Sequence, residues 1–169
     1  MTEDEMMEAT GKLRRVLIGS VAAAVMCTAL AWATTGSGTS STLVGPPATY
    51  EGFKVKRDAL DGWDVKIEAK NGLKVATQTI TFQPGGQSGW HTHPGPVFIS
   101  VKEGTMTFYD ENCHATVRMA GEGFLDTGSD AHLARNESDA PATNVVTYFA
   151  PPSAPTLRID APQPQNCPF

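Results

Sequence analysis

His91, His93 and His132 are the residues of this chain whose types and spacing could do chemistry. His91 and His93 are two apart in Trp90-His91-Thr92-His93, so in an extended segment both imidazoles leave the same face and can share one ion. A third histidine from a different strand is the usual completion of such a site. His132, between Ala131 and Leu133, is the candidate, and neutral imidazole is a common ligand for Zn, Fe, Cu and Ni. Other chemistries fail on residue supply. No Gly-rich phosphate loop precedes a helix, and no Gly-x-Ser-x-Gly nucleophile elbow occurs. The carboxylates of Asp110, Glu111, Glu122 and Asp126 fall near predicted turns and are expected to be solvated, which argues against a paired-carboxylate glycosidase. His114 follows Cys113, and neighbours on a strand point to opposite faces. Both are therefore expected outside the ligand set, His114 on the surface.

The elements that must position these histidines read as β-strands. Short runs rich in Val, Ile, Thr, Phe and Tyr, separated by Gly, Pro, Asn and Asp, cover 53–56, 63–68, 73–82, 97–101, 105–109, 115–119 and 145–149. Spacing of this kind predicts an all-β sandwich or barrel. In Val97-Phe98-Ile99-Ser100-Val101-Lys102 the alternation points Val97, Ile99 and Val101 inward as pocket-lining residues, and Lys102-Glu103-Gly104 makes the following turn. Trp90 and Phe98 are expected to pack on the barrel's exterior.

The histidines and the glycines around them resemble the two motifs of the cupin superfamily. The first runs glycine, five residues, His-x-His, three or four residues, glutamate, six residues, glycine. Gly85, His91, His93 and Gly104 fall at those places, with Val97 where the glutamate would stand. The second is matched by Gly121, His132 and Asn136, with Thr127 in place of a proline and Ser129 in place of a glycine. About sixteen residues separate Gly104 from Gly121, and the resemblance covers residues 73–149. It implies a double-stranded β-helix, a jelly-roll barrel with ligands lining one open end, where small-molecule pockets often lie. It implies one divalent metal, Fe, Mn, Ni, Cu or Zn, on His91, His93 and His132, with homodimers common in the family. Without the glutamate the ion keeps a charge of about +2, which suits Lewis-acid or oxygen-activating work on anionic or bidentate substrates. The expected function is a metal-dependent small-molecule activity, oxygenase or isomerase in type. The alternative is a non-catalytic module that holds a small ligand. Asn136-Glu137-Ser138 also matches a glycosylation acceptor, but the motif already accounts for Asn136.

The rest of the chain sets compartment and boundaries. Its 169 residues suit one domain with terminal extensions, and the net charge of −5 gives no footprint for nucleic acid. An acidic and basic region over 1–15, with Lys12, Arg14 and Arg15, precedes an uncharged apolar helix over 16–33 ending in Ala31-Trp32-Ala33. That pattern fits a cleaved secretory signal or a single-pass membrane anchor, and both readings place the C-terminal domain outside the cytoplasm. The residues ahead of Cys27 match a lipoprotein signal poorly. Cys113 and Cys167 are then an even pair in an oxidising compartment, where a disulfide is expected. Residues 34–49, rich in Gly, Ser and Thr with Pro46-Pro47 near the end, read as a linker, and 50–169 as the barrel domain.

Overall fold

The computed structural model describes residues 33–58 and 62–169. The apolar helix expected over 16–33 lies outside them, apart from Ala33, which makes one antiparallel bridge to Pro162. Among the described residues there is no α-helix, and no helix long and apolar enough to cross a membrane.

The described chain is β-structure throughout: β1 (Ser37–Leu43), β2 (Ala48–Tyr50), β3 (Phe53–Asp58), β4 (Asp64–Ala69), β5 (Leu73–Gln87), β6 (His91–Thr92), β7 (Val97–Glu103), β8 (Thr105–Tyr109), β9 (Ala115–Met119), β10 (Gly123–Asp126), β11 (Leu133–Arg135), β12 (Ala142–Ala150) and β13 (Ile159–Asp160). The main sheet runs β10-β7-β12-β5-β11-β8-β9, with β1 and β2 paired to β5 as well. It curls into a nearly closed jelly-roll barrel. β5 is its spine, bonded to β12 along Lys74–Phe82 and to β1 from Gln78 to Phe82 and at Gln87. β3 and β4 form a hairpin of their own, and β13 pairs with β6.

Alternation fixes which faces meet. Along β7, Val97, Ile99 and Val101 are buried while Phe98, Ser100 and Lys102 are exposed, so the odd positions enter the core as expected. They pack there with Phe82, Met106, Phe108, Val146 and Tyr148. The β7–β8 turn needs Gly104: its φ is +77°, and a Cβ there would lie 2.9 Å from the Cα of Ala142.

The expected linker is the first point at which the structure departs from the sequence reading. Part of the segment read as a linker is β1 and β2. Every residue of both strands is exposed, so no apolar alternation marks them. Backbone pairing to β5 holds them, and Thr39 and Thr42 suit a strand through β-branching.

A second, smaller core lies outside the barrel. Trp90, fully buried, packs with Leu133, Ala161 and Cys167, and its indole Nε1–H donates to the Phe169 carbonyl at 3.0 Å. Cys113 and Cys167 join as a disulfide with Cα atoms 5.5 Å apart, an ordinary span for the bond. The C-terminal segment is thereby clamped across the strand that carries His91.

Candidate metal centre

The backbone brings the two histidine-bearing segments together. His91 N–H donates to the His132 carbonyl and His132 N–H to the His91 carbonyl, both at 3.0 Å. This is a hydrogen-bonded antiparallel pair, and directly opposed residues in such a pair project to the same face. His93, two positions on, shares that face and is fixed by its N–H to the Gly128 carbonyl at 2.9 Å. Gly128 permits the approach: its φ is +94°, and a Cβ would meet the Gly95 carbonyl oxygen at 2.4 Å.

Each imidazole is then oriented by a main-chain carbonyl. Nδ1 of His91 lies 2.8 Å from the Gly89 oxygen, Nδ1 of His93 2.6 Å from that of Leu157, and Nδ1 of His132 3.0 Å from that of Asp130. A carbonyl oxygen can only accept, so each Nδ1 carries a proton, and in the neutral ring Nε2 then presents a lone pair. This is the tautomer and support that a metal-binding histidine needs. The three rings lie with centroids 4.3 to 5.0 Å apart, and one ligand atom from each falls within 4.8 Å of the others. Burial drives the His91 pKa down to about 2, with the neighbouring His132 and His93 adding to the effect. Burial also lowers that of His93, against the support of the Leu157 carbonyl. Both are neutral at ordinary pH, and the three histidines could hold a metal ion.

Sequence reasoning missed Asp126. Expected to be solvated near a turn, it closes β10 and is only 8% exposed. Its Oδ1 accepts the Gly128 N–H at 2.7 Å, while Oδ2 lies 2.8 Å from Nε2 of His132 and 3.6 Å from Nε2 of His93. Burial pushes the carboxyl pKa up, but His132, the Gly128 N–H and His93 together hold it below the ordinary carboxylate value. The available signal was the pattern Gly123-Phe124-Leu125-Asp126, in which Asp126 shares the inward face with Phe124. The other turn carboxylates lie apart from the histidines. Asp110 caps its own turn, accepting the N–H groups of Asn112 and His114, and exposed His114 pairs with it rather than joining the site.

The histidines form one wall of a chamber of about 50 Å³. Val97 and Ile99 line it, with Phe82, Phe108 and Tyr148. Val101 does not: it is buried in the core beyond the chamber, since each step of two residues advances a strand by roughly 6.7 Å. A wider vestibule of about 430 Å³ shares Ser88, His91 and Tyr148 with the chamber and has Thr39, Ser41 and Arg158 in its wall. β1, read from sequence as linker, therefore builds the approach to the site.

A family model described as a cupin domain matches residues 78–148. The barrel belongs to the cupin superfamily. No curated protein matches the chain significantly. Among solved structures, it is similar to an uncharacterised conserved protein with a double-stranded β-helix domain from Klebsiella pneumoniae. The identity is 18% over 66% of this chain and 86% of the other, with a TM-score of 0.45. It is also similar to the polyketide cyclase RemF from Streptomyces resistomycificus, 20% identical over 50% of this chain and 59% of the other, with a TM-score of 0.43. An oxalate oxidase is 26% identical over 46% of this chain, with a TM-score of 0.41; the match spans only 42% of that enzyme. In the second cupin motif the structure gives Asn136 a structural task. Fully buried, it donates through Nδ2 to the Phe82 and Ala140 carbonyls and accepts at Oδ1 from the Ser138 N–H and hydroxyl. An asparagine so enclosed is no glycosylation acceptor.

Proposed function

We propose that this cupin holds one divalent transition metal on His91, His93 and His132 and acts on a small molecule bound beside it, in an oxygenase or isomerase type of reaction. The observation that carries the reading is the convergence of three imidazoles, each oriented by a contact of Nδ1 with a backbone carbonyl. Residues that merely filled a core would not need three imidazoles, two of them buried, facing one point. A metal there would supply Lewis acidity or one-electron chemistry with dioxygen.

The remaining lining does the binding and the exclusion. Phe82, Val97, Ile99, Phe108 and Val146 make a dry wall, so polar contacts in the chamber are strong and few. Tyr148 is one of them. Burial pushes its pKa up to about 12, so it stays a neutral phenol, and because it accepts from Gln78 its own hydrogen is free to meet a ligand oxygen. Arg158 stands in the vestibule wall, held by the Ser88 carbonyl and by Asp160, and favours a substrate with an anionic end. A chamber of about 50 Å³ admits a reacting group rather than a whole large molecule. Small carboxylic acids and diketones fit that description.

Elemental analysis of purified protein tests the reading. Stoichiometric Fe, Mn, Ni, Cu or Zn that His132→Ala abolishes is the expected result; no metal after reconstitution overturns it. Oxygen uptake or product formation across small acids and diketones then separates a catalyst from a module that only binds. The same proposal places the barrel outside the cytoplasm, where the Cys113–Cys167 bond would persist. Labelling of unreduced, freshly isolated protein with an alkylating reagent should find both thiols blocked, and free thiols would speak for a reducing compartment.

A further inference from the structure

Position 97 and position 126 are the same place in the barrel seen from two strands. In the β7–β10 ladder Val97 is directly paired with Asp126, and directly paired residues project side by side from one face of a sheet. Val97 occupies the motif position at which a cupin would carry its glutamate, and it lines the chamber. The carboxylate missing from β7 is therefore present one strand away.

Its environment is that of a ligand rather than of a surface acid. Asp126 is more than nine-tenths buried, and Oδ1 is satisfied by the Gly128 N–H at 2.7 Å. Oδ2 accepts no hydrogen bond, although it faces Nε2 of His132 at 2.8 Å and Nε2 of His93 at 3.6 Å. With Nδ1 of both rings set against main-chain carbonyls, Nε2 is the atom that each ring turns to the carboxylate oxygen. A positive charge shared between them, a proton on the His132 ring or a metal ion, is what such a cluster calls for. A buried carboxylate oxygen without a partner is strongly destabilising, and an ion seated between it and the imidazoles removes that penalty.

We infer that Asp126 is the anionic ligand of the metal site, taking from β10 the part that Val97 leaves unfilled on β7. This rests on the metal-binding reading above and deepens it. The inner shell becomes three neutral imidazoles and one carboxylate, and the loaded site carries a charge of about +1 rather than about +2. Asp126 also accounts for a valine at position 97: the paired strand still brings a carboxylate oxygen to within 2.8 Å of His132 and 3.6 Å of His93.

The test uses the full-length chain and measures metal affinity by chelator competition, together with the visible spectrum of the Co(II)-substituted protein. Asp126→Asn keeps the size of the side chain and an acceptor for Gly128. It should lower Co(II) and Zn(II) affinity more than about 100-fold, beyond the roughly 10–100-fold typical of a residue that only orients a ligand, and should alter the Co(II) spectrum. Asp126→Glu retains a carboxylate and should lose less than about tenfold of the affinity, a second measurement should Asp126→Asn fold poorly. Val97→Glu placed on Asp126→Asn should recover affinity from the opposite strand. An Asp126→Asn protein that binds within about 100-fold of the parent with an unchanged spectrum overturns the inference and leaves the three-histidine reading standing. A parent protein that takes up no metal overturns both.

Discussion

Breaking the Cys113–Cys167 bond should weaken the barrel and the proposed metal site together. The bond closes a loop of 54 residues, and in the chain-entropy model a loop of that length removes about 4 kcal/mol of freedom from the unfolded chain. At about 2–4 °C per kcal/mol for a domain of this size, the melting temperature should fall by on the order of 8–16 °C. The effect should not stop at stability. The C-terminal segment held by Cys167 gives the Leu157 carbonyl to Nδ1 of His93 at 2.6 Å, pairs Ile159–Asp160 with Thr92–His91, and bonds the Ala161 N–H to the Trp90 carbonyl at 3.0 Å. Loosening it removes a support of one ligand, so zinc affinity should drop about tenfold, the low end for loss of such a support. The assay is a pair of melts, thermal and in urea, on oxidised protein and on the Cys113→Ala/Cys167→Ala variant, with zinc affinity measured on each by chelator competition. A stability loss below about 1 kcal/mol would refute the loop-closure argument. Unchanged zinc affinity in the face of a large stability loss would refute the claim that the tail supports His93.

Three further outcomes follow from the same geometry. Metal-free protein should lose stability as pH falls below 6.5, because His91 is held down to about 2 in the folded state while the unfolded chain takes up the proton. The loss is about 1.4 kcal/mol per pH unit for this group, with His93 adding in the same direction, and urea melts with EDTA between pH 7 and pH 5 would expose a flat profile if the reasoning is wrong. Asn136→Ala should cost about 3 kcal/mol by leaving the buried Phe82 and Ala140 carbonyls without their donor, and an equilibrium unfolding curve within about 1 kcal/mol of the parent would contradict that role. Tyr148→Phe should leave folding and zinc affinity unchanged but weaken binding of a small acid about tenfold, the worth of one hydrogen bond, as read by calorimetry on zinc-loaded protein.

What the sequence disclosed, and what it hid, has a physical division. His91, His93 and His132 were legible because residue type names the chemistry and a two-residue step names the face. The inward set Val97, Ile99 and Val101 was legible through period-two alternation, though not the depth at which the chamber ends, which leaves Val101 in the core. β1 and β2 were not legible, since a fully exposed strand bonded only through its backbone carries no apolar pattern. Asp126 stayed hidden because its meaning lies in its pairing with Val97, a contact across the sheet that no local window contains. The carbonyls of Gly89, Asp130 and Leu157, which set the tautomer of all three imidazoles, were invisible for a simpler reason: every residue has one.

The reciprocal backbone bonds between His91 and His132 join the two motifs into one unit that could chelate an ion. Neither residue can shift along its strand without dragging the other, so the spacing of these two donors is a property of the main chain and survives any choice of ion. Adaptation to ions of different radius is left to small ring rotations and to His93, which is anchored elsewhere. The fold thus sets a rigid pair against groups anchored on separate backbone, and ions should be discriminated by how far His93 and Asp126 can reach toward that pair.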